Sequence, residues 1–348
     1  MGAGPNVRVA GAGALGLSAA LSLAQAGCRV SVWDPGGAPQ ASAVAAGMLA
    51  PVFEAVLDDA AGDLDLLLAA RDLWPGLAAR TGIELDRSGT AAVGSASWLA
   101  GIGARLRELG VAASELAPRD LADLAPGIAP GLEGLLVAED WRLEPRPALA
   151  ALRAAAMAAG VEFRAEAVCE AAEGDWLVIA TGAGQGLADV APELTRLTPI
   201  KGQILRFAQR RGGRISLRGE GAYAVPGAEG LAIGATMEPG RADTEIDLAV
   251  VKPLVAAAGR LFPELAQAAF EVSVGVRAAT PDGLPMAGLS RTPGVVLAVG
   301  ARRNGWLLAP MVARIVTACI MGGESGPYAG RLDPARFPIN ESLWGRAR

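Results

Sequence analysis

Val7 and Val9 alternate with polar neighbours at the start of the chain. A glycine turn, Gly11-Ala12-Gly13-Ala14-Leu15-Gly16, then leads into an alanine- and leucine-rich run. Period-two alternation predicts a strand over 7–10. The spacing of the run predicts a helix over 14–26, ended by Gly27. A second apolar stretch, 28–33, predicts a strand with Asp34 at its end. Strand, glycine turn, helix and strand form the βαβ opening of a dinucleotide-binding fold.

A small-residue loop is expected over 41–51. Helices are expected over 64–80, 98–109 and 147–159, the last with proline near its first turn. The Pro- and Gly-punctuated stretch 117–131 reads as short turns. Strands are expected over 161–168 and 176–180. Between 197 and 276 the texture becomes that of an antiparallel sheet, with segments at 204–207, 214–217, 222–226, 231–236 and 270–276 and a helix over 249–261. A strand over 295–299 and a helix over 309–321 restore the first texture. The pattern predicts an α/β protein: a Rossmann-like nucleotide domain split by an inserted α+β part built on an antiparallel sheet.

The chain has 348 residues, 52% of them apolar, enough for two domains or one large body with an insertion. A formal charge of −5 argues against a nucleic-acid partner. There is no histidine, so imidazole chemistry is excluded. Cys28, Cys169 and Cys319 lie far apart without a CxxC, which argues against a metal site or disulfide framework and for small buried side chains. No secretory signal pattern precedes Val7, and the apolar run 306–322 is interrupted by Arg314 and falls short of the roughly 20 residues a membrane span needs. A cytoplasmic protein with no membrane partner is expected.

In the glycine turn, Gly11 permits the tight bend, Gly13 admits a pyrophosphate, and Gly16 lets helix and strand pack. The helix N-terminus at Ala14 and Leu15 offers free N–H groups to phosphate, and Asp34 can accept from ribose hydroxyls. This motif alone does not separate NAD from FAD, and an NAD-dependent dehydrogenase stays open on it. A second strand-to-glycine turn, Asp175 to Gly184, contains Thr181 and Gly182 and is similar to the ATG segment of FAD-dependent oxidoreductases.

With these motifs in place, the chain resembles the FAD-dependent D-amino acid oxidase superfamily, and within it the glycine oxidases of thiamine biosynthesis. The matching stretches are VAGAGALGLSAALSLAQAG, ASAVAAGMLAP, IKGQILRF, AYAVPG, IGATMEPG, GVRAATPDGLPMAG and RRNGWLLAP, in order and nearly end to end. The resemblance implies a GR2-type FAD-binding domain over 1–88, 143–196 and 277–348, and a substrate domain over 89–142 and 197–276. It implies that Arg277 holds a substrate carboxylate, a task suited to a guanidinium fork. Tyr223, Met237 and Arg303 are implied at the substrate, with Arg302 facing outward. Ala41, Ser42, Ala46, Gly47 and Met48 would pass the flavin ring, and Val168 would meet the adenine. Residues Ala301, Arg302, Arg303, Asn304, Gly305, Trp306 and Leu307 would run past the pyrimidine edge, at a helix start with Pro310 in its first turn.

The implied activity is oxidative deamination of glycine, sarcosine or a small D-amino acid to the oxo acid, ammonia and hydrogen peroxide, with molecular oxygen as acceptor. Many relatives carry histidine where this chain has Ala301, and a polar residue where it has Gly221, which leaves the amine open. No cysteine lies near Arg277, so FAD is expected to be non-covalent. A homo-oligomer is expected from the relatives. The alternatives are an amine dehydrogenase passing electrons to a carrier, and an FAD-binding protein without activity.

Overall fold

The computed structural model describes residues 4–37, 40–58, 60–170, 174–208 and 213–338. Its first sheet has six strands in the order Met286–Leu289, Val295–Val299, Trp176–Ile179, Asn6–Ala10, Arg29–Trp33, Glu162–Arg164. All pairs are parallel except the edge pair of Met286–Leu289 with Val295–Val299. Its central strands are apolar on both faces because both are covered. Val9, Val32, Val178 and Val296 join one core beneath the helices Ala14–Gln25, Pro145–Ala158 and Gly305–Met321. Leu177, Ile179 and Leu297 join another on the opposite face, with Leu194 and Leu197.

The second sheet has nine strands. Eight follow the order Glu238–Pro239, Thr198–Phe207, Gly230–Gly234, Ala222–Gly227, Ser216–Gly219, Thr90–Gly94, Glu133–Val137, Ser114–Leu116, and Glu271–Ala279 also pairs with Thr198–Phe207. Pairing is antiparallel except between Ser216–Gly219 and Thr90–Gly94. Helix Leu248–Leu261 packs in the apolar core of one face. Helices Pro51–Leu57 and Ala96–Glu108 share a further core with Ala92 and Val137. A bridge between Ala279 and Ala301 joins the end of Glu271–Ala279 to the segment that follows Val295–Val299. The two sheets thereby bring Arg277 beside 302–306.

Several elements differ from the sequence expectation. The loop 41–51 contains a short helix, Ala41–Val44, and runs into the helix Pro51–Leu57, whose first-turn proline starts it. The helix expected over 64–80 is two, Leu64–Asp72 and Trp74–Thr81, because Pro75 opens a new first turn. Pro118 likewise starts a helix, Pro118–Leu124, where turns were expected. Strands Thr90–Gly94, Ser114–Leu116 and Glu133–Val137 carry too little alternation to be seen without their partners. The strand expected over 161–168 is only Glu162–Arg164, whereas 204–207 extends to Thr198–Phe207. Cys169 is exposed rather than buried, because it lies in irregular chain beyond the shortened strand.

The last helix begins at Gly305, so Pro310 is interior rather than in the first turn. A proline there removes the N–H that would bond the Trp306 carbonyl. Trp74, fully buried, supplies a replacement: its Nε1–H donates to the Trp306 and Leu307 carbonyls, each at 3.2 Å. Among the described residues no helix is long and apolar enough to cross a membrane, and no cluster of histidine, cysteine or carboxylate side chains could hold a metal ion.

Candidate active site

The glycine turn closes against the second glycine segment. Gly11 has φ 108°, and a Cβ there would stand 2.4 Å from the Ala180 carbonyl oxygen. A Cβ on Gly16 would stand 2.0 Å from the Gly11 oxygen. Asp34 points back at the turn: Oδ2 accepts from the Ala12 N–H at 2.8 Å and from Gln40 Nε2 at 3.1 Å, while Oδ1 accepts from the Gly36 N–H at 2.8 Å. Gly13 caps helix Ala14–Gln25 with no side-chain bond, and the Ala14 N–H donates to Ser42 Oγ at 3.0 Å. Thr181 Oγ1 bonds the Gly184 carbonyl within the second turn, with Gly182 left-handed. Val168 lies outside any strand and packs against the apolar core to which Leu177 and Ile179 belong. A helix N-terminus, a carboxylate at a strand end and glycines that only a bare backbone satisfies fit a dinucleotide's pyrophosphate and ribose.

A cavity of about 360 Å³ lies next to this turn. Ala41, Ser42, Ala46, Gly47 and Met48 form one wall, and Arg302, Arg303, Asn304, Gly305 and Trp306 form another. Tyr223, Met237 and Arg277 reach it from the large sheet. Ala301 and Leu307 are buried behind the wall. Helix Gly305–Met321 starts at the cavity with no side-chain cap, so its first N–H groups are available to a flat acceptor-rich ring. Trp306 Nε1 donates to the Ser42 carbonyl at 3.0 Å and ties the two walls. Gly47 has φ 79°, and a Cβ there would lie 2.0 Å from the Leu143 oxygen.

The charges on the wall are sorted. Glu54, buried, places Oε1 2.7 Å from Arg218 Nη2 and Oε2 2.9 Å from Arg303 Nη2. Arg303 also pairs with Asp58. Burial pushes the Glu54 pKa up, but Arg303 and Arg218 overcome it and hold the carboxyl below its ordinary range. The Arg218 guanidinium lies 5.7 Å from the Tyr223 ring. Asp140, fully buried, accepts from the Val52 and Phe53 N–H groups at 2.8 and 3.1 Å, and burial pushes it up to about 7.

Arg277 stands apart. Its Nη1 donates to the Thr236 carbonyl at 3.3 Å and to Met237 Sδ at 3.5 Å, and among the described residues it has no carboxylate partner. Burial lowers its pKa, Tyr223 and Glu54 oppose that, and Arg302 adds to the lowering; a guanidinium keeps its charge regardless. It lies over Gly202, where a Cβ would fall 2.1 Å from Nη1. The Tyr223 hydroxyl lies over Gly234, 2.4 Å from where a Cβ would be. Burial raises the Tyr223 pKa, against the pull of Arg277.

The residues singled out in the sequence thus fall into two adjoining groups. Gly11, Gly13, Ala14, Leu15, Gly16, Asp34, Thr181, Gly182 and Val168 belong to the turn end, and the others line or back the cavity. Two details differ. Arg303 lines the cavity, but its charge is engaged by Glu54 and Asp58. Arg302, expected to face water, also lines the wall, because a left-handed backbone (φ 49°) turns it there. Glu54, Asp58, Arg218 and Asp140 escaped sequence reasoning. The Pro-led apolar run from Pro51 could have located their helix, but nothing local shows which arginines they meet.

A family model described as "FAD dependent oxidoreductase" matches residues 6–319. Over 372 aligned positions the chain is 30% identical to the "Bifunctional protein ThiO/ThiG" of Trichormus variabilis, covering 95% of this chain and 55% of that protein. The chain therefore spans about half the length of the bifunctional relatives it matches. It is 30% identical to the "Putative thiamine biosynthesis oxidoreductase ThiO" of Rhizobium etli, covering 92% of this chain and 98% of that one. Among solved structures, glycine oxidase from Geobacillus kaustophilus superimposes with a TM-score of 0.82 at 24% identity, covering 96% of this chain and all of that one.

Proposed function

We propose that this chain, which belongs to the FAD-dependent oxidoreductase family, oxidises the Cα–N bond of a small amino acid such as glycine, sarcosine or a D-amino acid. Its similarity to thiamine-biosynthesis oxidoreductases supports a place in thiamine biosynthesis, and a cytoplasmic location is part of the same proposal. The observation that carries the reading is Arg277: a charged guanidinium without an acidic partner among the described residues, in a cavity whose carboxylates are engaged elsewhere. Such a group favours a carboxylate ligand, which it can bind through two parallel hydrogen bonds.

FAD, held non-covalently, would supply the redox chemistry here: the capacity to take up a hydride from the substrate carbon, with molecular oxygen as the final acceptor and hydrogen peroxide as its product. Residues 11–16, Asp34 and Ser42 would hold its phosphates and ribose, Thr181, Gly182 and Val168 its adenosine side, and 41–48 with 301–307 its ring. The FAD-binding part then comprises 1–88, 143–196 and 277–348, and the substrate part 89–142 and 197–276. Arg277 fixes the substrate carboxylate, Tyr223 and Met237 close over it, and the Glu54–Arg303 pair braces the wall. Orientation is the main contribution of these side chains. The amine enters neutral and loses its proton to water, so the histidine-free cavity suffices. Water then hydrolyses the imine to the oxo acid and ammonia.

The test is Arg277→Ala and Arg277→Lys, with steady-state kinetics on glycine and a flavin content for each. The reading expects unchanged flavin content and a loss of kcat/KM that Lys only partly restores. An unchanged kcat/KM in Arg277→Ala refutes it.

A further inference from the structure

We propose that the cavity takes a small amine carrying two carboxylates, one held by Arg277 and the other by Arg302; this rests on the reading of the site as an amino-acid oxidase. Among the described residues four arginines line the cavity: Arg218, Arg277, Arg302 and Arg303. Glu54 occupies Arg218 with one oxygen and Arg303 with the other, and Asp58 adds to Arg303. Glu220, the remaining acid on the wall, is directed elsewhere: its Oε1 accepts from the Ser95 N–H and Oγ, both at 2.7 Å. Arg277 and Arg302 are left, and among the described residues neither guanidinium has a carboxylate partner. A monocarboxylate ligand compensates one of these charges. A dicarboxylate compensates both.

The backbone brings the two residues near each other. The Ala279–Ala301 bridge joins the segments that carry them, and the Arg302 N–H donates to the carbonyl of Ala278, the residue after Arg277, at 2.7 Å. Among the described residues Arg302 is the only non-glycine with positive φ, and these contacts hold it in that costly conformation. The two cations are close enough that Arg302 lowers the Arg277 pKa. Gly221, on the cavity lining, is exposed and has open space at its Cβ position, so the lining there leaves room for a ligand longer than glycine. The reaction is unchanged. For iminodiacetate, Cα gives up a hydride with its electron pair, nitrogen releases its proton, and water splits the imine into glyoxylate and glycine.

The experiment uses the flavin-loaded protein and three unreactive or reactive pairs: acetate against succinate and against malonate, by equilibrium titration, and glycine against iminodiacetate, by kcat/KM. The wild type is expected to bind at least one dicarboxylate tenfold or more tighter than acetate, a gain in keeping with one added charge-assisted contact. Arg302→Gln is expected to bring that ratio near one, and the iminodiacetate-to-glycine ratio of kcat/KM to fall with it. Arg302→Asn, whose residue tolerates a left-handed backbone, guards against a merely conformational loss. A wild-type ratio near one, or a preference that survives both variants, overturns the proposal. So does loss of flavin from both variants with the preference intact in the protein that remains loaded. The underlying reading fails separately, if acetate binding is indifferent to Arg277→Gln.

Discussion

Gly202→Ala asks whether the Arg277 guanidinium must sit where it does. Gly202 lies within strand Thr198–Phe207, opposite Gly275, with no left-handed backbone to protect. An added methyl would stand 2.1 Å from Arg277 Nη1 and 2.6 Å from Cζ and Nη2. Ordinary contact begins near 3.5 Å, so the guanidinium must withdraw by about 1.4 Å. The strand is spared, because the group that moves is the far end of a flexible side chain. Replacing glycine by alanine also lowers the entropy of the unfolded chain, worth about 0.4–1 kcal/mol. Folding stability is therefore expected to hold. A charge-assisted hydrogen bond contributes about 1.5–3 kcal/mol, and displacement weakens a pair of them without abolishing both. A loss of about 2–4 kcal/mol in transition-state binding lowers kcat/KM for glycine roughly 30- to 1000-fold. The assay compares Gly202→Ala, Arg277→Ala and the double variant in kcat/KM, thermal melting and flavin content. Because both single changes remove the same contact, the double variant is expected to be no worse than Arg277→Ala alone. A Gly202→Ala enzyme within twofold of wild type, or additive losses, refutes the reasoning.

Glu54→Gln leaves Arg218 without its carboxylate in a buried setting, at a cost of about 3 kcal/mol near neutrality; for a chain of this length the melting temperature falls by about 4 °C. Because the folded pKa of Glu54 is depressed, its contribution is present above an unfolded value of about 4.3 and is lost as pH falls through the folded one, so the gap to Glu54→Gln should close only in acid. Asp140 has the opposite sign: with a folded pKa of about 7, its contribution is complete below its unfolded value of about 3.9 and is lost as pH rises through 7. The wild-type melting temperature relative to Asp140→Asn should decline from pH 4 to 7, and parallel curves contradict this. Trp74→Phe removes the donor to the Trp306 and Leu307 carbonyls and should cost about 1–3 kcal/mol; adding Pro310→Ala, which restores a backbone N–H, should recover part of it, and a purely additive pair of effects in denaturant melts would contradict the substitution of one donor for the other.

The parallel sheet was legible because its signals are local. Gly11 and Gly16 each answer a requirement of the backbone at that point, and Asp34 and Thr181 follow buried strands of strong apolar character. The antiparallel region was legible as a texture, but its extent was not. Thr198–Phe207 gains its first residues by pairing with Glu271–Ala279, a partner more than sixty positions away. Thr90–Gly94 owes its place to Ser216–Gly219 and Glu133–Val137, again remote in sequence. The site divides in the same way. Arg277 stands within a recognisable stretch, whereas its freedom is known only once Glu54 is seen to engage Arg218 and Arg303. A sequence shows which residues are charged; only the fold shows which charges are already answered.

The most direct test of the central claim is an anaerobic titration of the purified, flavin-loaded protein with glycine, followed in the visible spectrum, for the wild type and for Arg277→Ala side by side. The account predicts that glycine bleaches the wild-type flavin and that the variant, equally loaded, needs far higher glycine for the same change. Bleaching of both proteins at the same glycine concentration would contradict it, and so would a wild-type flavin that stays oxidised with glycine, sarcosine, small D-amino acids and iminodiacetate alike.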